Sequence, residues 1–315
     1  MFNGSVDEKI YIDCMTSQKR LVQEYHKIHN GQTYLAGRQQ EKMKALFQNG
    51  VSGLLKGSLG YIKNKAHMKK LYSIVKPLKR DQIELPAPNY FSGERIAVYT
   101  CVFGNYDAVR EPFCHPNNID YYIITDQPVS ADSAWKPIDL SPYLGLLAQK
   151  TNVEKNRWFK MHPHEIFPDY NYSIYIDGNV VPVTDFTELV NRMGEPGIAM
   201  FWHSYNNCVY QEAYYNRYSV KKISNEELEK HIAYLRQQKM PEDFGMTTCN
   251  VIVRDHRSEL CRKLMDDWWH EFITHCRRDM ISFPYVVWKN GLNMCDIATL
   301  GYDVWNSDSL IVNEH

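Results

Sequence analysis

The sequence predicts an α/β fold, a mostly parallel sheet flanked by helices, with an N-terminal helical extension. Three observations carry this. From Arg95 onward, short apolar runs alternate with helical patterns, as in chains that build βαβ units. Four of those runs end in polar residues, at Gly104-Asn105-Tyr106-Asp107, Asp126, Asp177-Gly178-Asn179 and His203. Open α/β sheets bind ligands at the carboxyl ends of their strands, so these ends form one candidate rim. Residues 1–90 lack the alternation and read as polar helices broken at Asn30-Gly31 and Asn49-Gly50. The chain therefore divides into a basic helical extension, 1–90, and an α/β domain, 91–315, joined through the Pro- and Gly-containing stretch ELPAPNYFSGER.

The elements follow in order. RIAVYTCVF and IDYYIIT are apolar strands, separated by the loop GNYDAVREPFCHPNN. LAQKTNVEKNRWFKMHPHEIF is predicted helical, YSIYI is the third strand, FTELVNRM a short helix and GIAMFWH the fourth strand. Ser224 and Glu227 stand at capping-box spacing ahead of LEKHIAYLRQQ, which marks a helix start. TTCNVIVR is another strand. After it, Leu260, Cys261, Leu264, Met265, Trp268, Trp269, Phe272, Ile273 and Cys276 recur on one helical face. That spacing assigns the Trp pair to the core rather than to a sugar platform.

Composition limits the function. With 44% hydrophobic residues the chain has material for a sizeable core, which excludes a disordered protein. Its net charge of -1 conceals a local excess: residues 41–80 hold ten Lys or Arg against Glu41 alone, +9, leaving -10 for the rest. Mixed with Leu, Ile, Phe and Tyr, that segment reads either as an amphipathic stretch on an anionic membrane or as short helices with a solvated basic face. Nucleic acid is not an expected partner. The eight cysteines show no Cys-x-x-Cys spacing, which argues against a zinc ribbon, and they fit a reducing cytosol. The N-terminus has no basic start followed by an apolar run, and no stretch is long enough to span a bilayer. The expected place is the cytoplasm, with peripheral attachment to the inner membrane face.

No Gly-x-Gly-x-x-Gly, Walker loop or Gly-x-Ser-x-Gly elbow occurs. A nucleotide can still bind, with its base at the first loop (Gly104, Asn105, Tyr106) or Asp126, and its diphosphate on a Mg²⁺ or Mn²⁺ held by Asp177. The competing reading of Asp177-Gly178-Asn179 is a plain turn. Arg157 and Lys160 lie one helical turn apart and can share a target, or simply form an exposed basic face. His203 and Asn250 are candidates for a sugar or acceptor pocket, or satisfied buried polar groups. His162-Pro-His164 lacks a third zinc ligand and reads as a helix end.

In order, VYTCVFGNYD, KNRWFKMHPHEIFPDYNYSIYIDGNV, GMTTCNVIVR and RRDMISF resemble the GT-A-type glycosyltransferase-like family of plant mucilage and pectin galacturonosyltransferases and their bacterial polysaccharide-cluster relatives. The resemblance spans about residues 95–315. It implies a GT-A-like, Rossmann-like sheet and a hexosyl- or hexuronosyl-transferase. The expected donor is a nucleoside-diphosphate sugar, UDP-linked, and the acceptor a glycan or lipid-linked glycan in surface polysaccharide synthesis. The Ile-Asp-Gly segment takes the place of the Asp-x-Asp metal motif. Asn179 stands where a second acid is usual, and His315 is a candidate third ligand. The resemblance makes Arg157 and Lys160 a diphosphate clamp. Arg278 and Asp279 match its Arg-Asp-x-x-Ser-Phe segment on the acceptor side, with a helix cap as the alternative for Asp279. Two other functions stay open: a non-catalytic nucleotide- or glycan-binding module, and a metal-dependent lipid amide hydrolase.

Overall fold

A computed structural model describes residues 93–203 and 206–313. The expectations for residues 1–90, including the basic segment 41–80, and for His315 lie outside the described residues. In chain order the strands are β1 (Ile96–Val102), β2 (Ile119–Thr125), β3 (Lys136–Pro137), β4 (Tyr172–Ile176), β5 (Val180–Pro182), β6 (Ile198–Trp202), β7 (Thr247–Asp255) and β8 (Leu310–Val312). The longer helices are α1 (Asn152–Met161), α2 (Val209–Tyr218), α3 (Asn225–Gln237), α4 (Glu259–Thr274) and α5 (Asp279–Lys289).

Among the described residues six strands form one sheet in the order β3-β2-β1-β4-β7-β6. β1 pairs parallel with β2 and β4, and β2 parallel with β3. β7 runs antiparallel to both β4 and β6. The fold is thus the expected α/β class with a mostly parallel sheet, and β7 is its one reversed strand. Each face carries its own core. In β1, Ala97, Tyr99 and Cys101 face one cluster while Ile96 and Val98 face the other. That two-sided burial explains why β1 reads as an unbroken apolar run rather than an alternating one.

Helix starts are fixed locally. The capping box expected at Ser224 and Glu227 is formed at the head of α3. A second one, Thr151 with Glu154, opens α1. The predicted helix across residues 147–167 is interrupted: α1 stops at Met161, and Pro163 opens a separate turn, Pro163–Ile166. His162 stacks on Trp158 at 4.7 Å and its Nδ1 meets the Trp158 carbonyl at 2.7 Å, the helix-end role expected of it. α4 buries Cys261, Leu264, Met265, Trp268 and Phe272, so Trp268 belongs to the core as its spacing indicated, while Trp269 packs against the same cluster partly buried.

α4 also buries Glu271, which is 3% exposed and accepts from Tyr234 Oη at 3.1 Å. Burial pushes its carboxyl up to about 7, partly offset by the Tyr234 hydrogen bond. A carboxyl raised in the folded state binds a proton that the unfolded chain releases, so stability falls as pH rises from about 4.5 towards 7. Glu271→Gln keeps the shape without the ionisation. Its melting temperature should match wild type near pH 5 and exceed it near pH 8, by up to about 3 kcal/mol of stability. Calorimetry at the two pH values checks this.

Candidate active site

β4 ends where Asp177 N donates to Asn250 O on β7 at 2.8 Å, and Val180 N closes a turn on Asp177 O at 2.9 Å. The chain then leaves the central sheet. β5 pairs with β8, Val180 opposite Val312, and Asn179 is tied to Asn313: its backbone carbonyl accepts from Asn313 N and its amide nitrogen donates to Asn313 O, both at 2.8 Å. The Asp177-Gly178-Asn179 segment is therefore a turn, as the plain reading held, and it also floors a cleft. The cleft encloses about 540 Å³.

Its wall at β1 is a glycine turn. Gly104 sits at φ +67, where a Cβ would come within 2.1 Å of Asn152 Nδ2, so only glycine fits. Asp126 ties this turn down by accepting from Gly104 N at 3.0 Å. Gly104, Asn105 and Asp126 thus support the wall, whereas Tyr106 and Asp107 line the cleft itself. Gly178 is tight as well, since a Cβ there would meet Asp107 Oδ2 at 3.0 Å and Val102 Cγ2 at 2.8 Å. Asp107 therefore lies directly against the turn that carries Asp177.

The inner end is built from α1 and α5. Lys160 is fully buried; its Nζ lies 3.0 Å from Asp279 Oδ2, 3.4 Å from Asp177 Oδ1 and 4.7 Å from the centre of the Tyr175 ring. Arg157 Nε lies 2.8 Å from the same Asp279 oxygen, and its guanidinium also donates to Asn156 Oδ1. Tyr175 Oη donates to Asp177 Oδ1 at 2.7 Å. Burial would raise the Asp279 pKa, but Arg157, then Lys160 and Arg278, hold it far below the usual carboxylate range. Burial, reinforced by Asp177, keeps the Tyr175 phenol protonated.

Several expectations change against this geometry. Lys160 is not part of an exposed basic face, because the helix side it occupies is packed under the cleft. Asp279 is the first residue of α5 rather than its cap: Arg278 is the N-cap, and the Asp279 carboxylate accepts from the adjacent Met280 N while serving Arg157 and Lys160. A carboxylate held so low is a weak proton acceptor. His203 does not reach the cleft; its Nδ1 accepts from Asn206 N at 3.0 Å and its Nε2 faces Glu212 at 3.8 Å. Asn250 lines the cleft with its Oδ1 buried and unpaired. Arg278 lines it too, as does Lys222, which no pattern singled out because it follows α2 in a loop without a motif.

A hard divalent cation fits the corner at Asp177. Asp107 and Asp177 offer carboxylates, and Asn179, with its amide nitrogen spent on Asn313, offers Oδ1. No group of three or more His, Cys, Asp or Glu side chains is placed to hold a metal among the described residues, so substrate oxygens and water would complete the shell, as is normal for Mg²⁺.

Residues 148–299 match the family model of the TOD1/MUCI70 glycosyltransferase-like domain. That bears out, over those residues, the resemblance read from the sequence. The matched stretch takes in Arg157, Lys160, Asp177, Asn179, Asn250, Arg278 and Asp279 but not the first loop at Gly104. Among solved structures, the chain is similar to the apo form of the bifunctional glycosyltransferase WbbM at 12% identity, covering 63% of this chain and 39% of that one, with a TM-score of 0.40. The galactosyltransferase LgtC with donor and acceptor sugar analogues gives 11%, 62%, 72% and 0.38. Mouse xyloside xylosyltransferase 1 gives 10%, 62%, 82% and 0.38. The chain thus spans about two fifths of WbbM's length. Comparison with curated proteins found no match. Among the described residues, no helix is long and apolar enough to cross a membrane.

Proposed function

We propose that this protein transfers a hexosyl or hexuronosyl group from a UDP-linked sugar to a glycan or lipid-linked glycan acceptor, in surface polysaccharide synthesis. The observation that carries the proposal is the cleft at the carboxyl ends of β1 and β4, which Asp107 and Asp177 both line, with Asp107 against Gly178. Ligands in open α/β sheets bind at such strand ends.

Asp107, Asp177 and Asn179 would hold a Mn²⁺ or Mg²⁺, which when bound neutralises charge on the departing diphosphate. Tyr106, 62% exposed at the cleft mouth, offers a ring face to the base. Tyr175 and Lys160 fix Asp177 by binding its Oδ1, which leaves the other carboxylate oxygen to face the ligand. Asn250 Oδ1 is a buried acceptor awaiting a donor, and a sugar hydroxyl supplies one. Asp279 acts through Arg157 and Lys160, holding both cations at the inner wall rather than taking the acceptor's proton. Peripheral attachment to an anionic inner membrane face rests on the basic segment 41–80 alone.

A screen of nucleoside-diphosphate sugars for nucleotide release, with Mn²⁺ and without, tests the reading. Release of UDP from one donor, stimulated by a glycan acceptor, is the expected result. A chain that binds UDP yet releases none from any donor would instead be a binding module, and cleavage of a lipid amide would point to the hydrolase.

A further inference from the structure

The cations of the cleft are not equivalent. Arg157 and Lys160 are committed to Asp279, and Lys160 to Asp177 as well. Lys222 and Arg278 also line the cleft, but neither makes an ion pair within 4 Å among the described residues. Arg278 Nε is buried with no hydrogen-bond partner. A buried donor left in that state is uncommon and calls for an explanation, of which a missing ligand is one.

Lys222 is held in place by its backbone. Its N donates to Asn216 O at 2.8 Å, and the preceding Lys221 takes φ +55, the left-handed region that a lysine seldom enters. The turn aims Lys222 into the cleft although that brings it towards another cation. The crowded cleft wall first, and then the Arg278 charge, pull the Lys222 pKa down. Like charges brought together beside a cavity are stabilised by an anion between them.

The position of the pair decides which anion. Asp107, Asp177 and Asn179 gather at the Gly178 end, where a cation would meet the donor diphosphate. Arg278 is adjacent to Asp279, and the charges that act on Lys222 are Arg278, Asp279 and Arg157 ahead of Asp177. The pair thus stands at the Asp279 end of the cleft.

We propose that Lys222 and Arg278 form a subsite for an oxyanion on the acceptor, a phosphate or a carboxylate, so that the acceptor of this enzyme is anionic. A guanidinium binds either group through paired N–H donors, and an ammonium beside it adds a point charge. This rests on the transferase reading above, and its test separates the two.

Inorganic phosphate and glucuronate are each titrated calorimetrically into the full chain saturated with UDP and Mn²⁺. Wild type should bind at least one of them, and the stronger names the anion class. Lys222→Gln and Arg278→Gln should each weaken that binding about tenfold or more while leaving UDP affinity unchanged. Arg278→Lys should recover part of the loss, and Lys263→Gln, on the exposed face of α4, should lose nothing. Circular dichroism confirms that the variants are folded. The proposal is overturned if UDP excludes both anions, if the variants lose UDP instead, or if wild type binds neither anion. Wild type that binds phosphate through Lys222 and Arg278 but no UDP at all would uphold the anion subsite and remove the transferase reading.

Discussion

Asp177→Asn is expected to cut sugar transfer by about 10²–10³-fold, the size seen when one preorganised electrostatic group is lost from a reaction centre. The fold should survive. An asparagine side-chain oxygen can still accept from Tyr175 Oη, which donates to Asp177 Oδ1 at 2.7 Å, and the backbone turn through Val180 N is untouched. What disappears is one of the two carboxylates that line the Gly178 end of the cleft. The variant should therefore also bind Mn²⁺ more weakly, which electron paramagnetic resonance reads without any turnover. Unchanged transfer together with unchanged Mn²⁺ binding would return Asp177-Gly178-Asn179 to the status of a simple turn.

Lys160→Met should produce the largest loss of stability of any single change at the site. The methionine fills much of the same volume, but it leaves Asp279, itself 4% exposed, without its fully buried ammonium partner. Removing one member of a buried ion pair costs about 3–5 kcal/mol. In a domain of this size that corresponds to a fall in melting temperature of roughly 10 °C. The sign with pH follows from Asp279. Its folded pKa lies below its unfolded value, so the stability it contributes is complete above the ordinary carboxylate range and is lost as pH falls through it. The gap between variant and wild type should accordingly be widest near pH 8 and narrow below about pH 4. Equal melting at pH 8 would show that Lys160 does not support Asp279.

Most secondary structure was legible because its causes are local. Unbroken apolar runs gave β1, β2, β4 and β6, and a Ser-x-x-Glu box gave the start of α3. The capping box at Thr151 and Glu154 was equally readable and was absorbed into a longer predicted helix; Pro163 was the signal that should have divided it. β5 and β8 were not legible, since three residues each carry too little pattern, and they pair across more than a hundred positions.

The sequence by itself determined the α/β class, the carboxylate at the end of β4, and the shared helix side of Arg157 and Lys160, because strand period, turn chemistry and the helical repeat act over a few residues. Only the tertiary structure decided that this helix side faces inward, that Asp279 from a distant helix neutralises it, and that Asp107 reaches the Asp177 turn. It alone placed Lys222 and Arg278 on the cleft lining, with Arg278 Nε buried and without a hydrogen-bond partner. The physical reason is that charge pairing depends on distance in space. Lys160 and Asp279 are 119 positions apart in the chain and 3.0 Å apart in the fold, and no local spacing encodes that meeting.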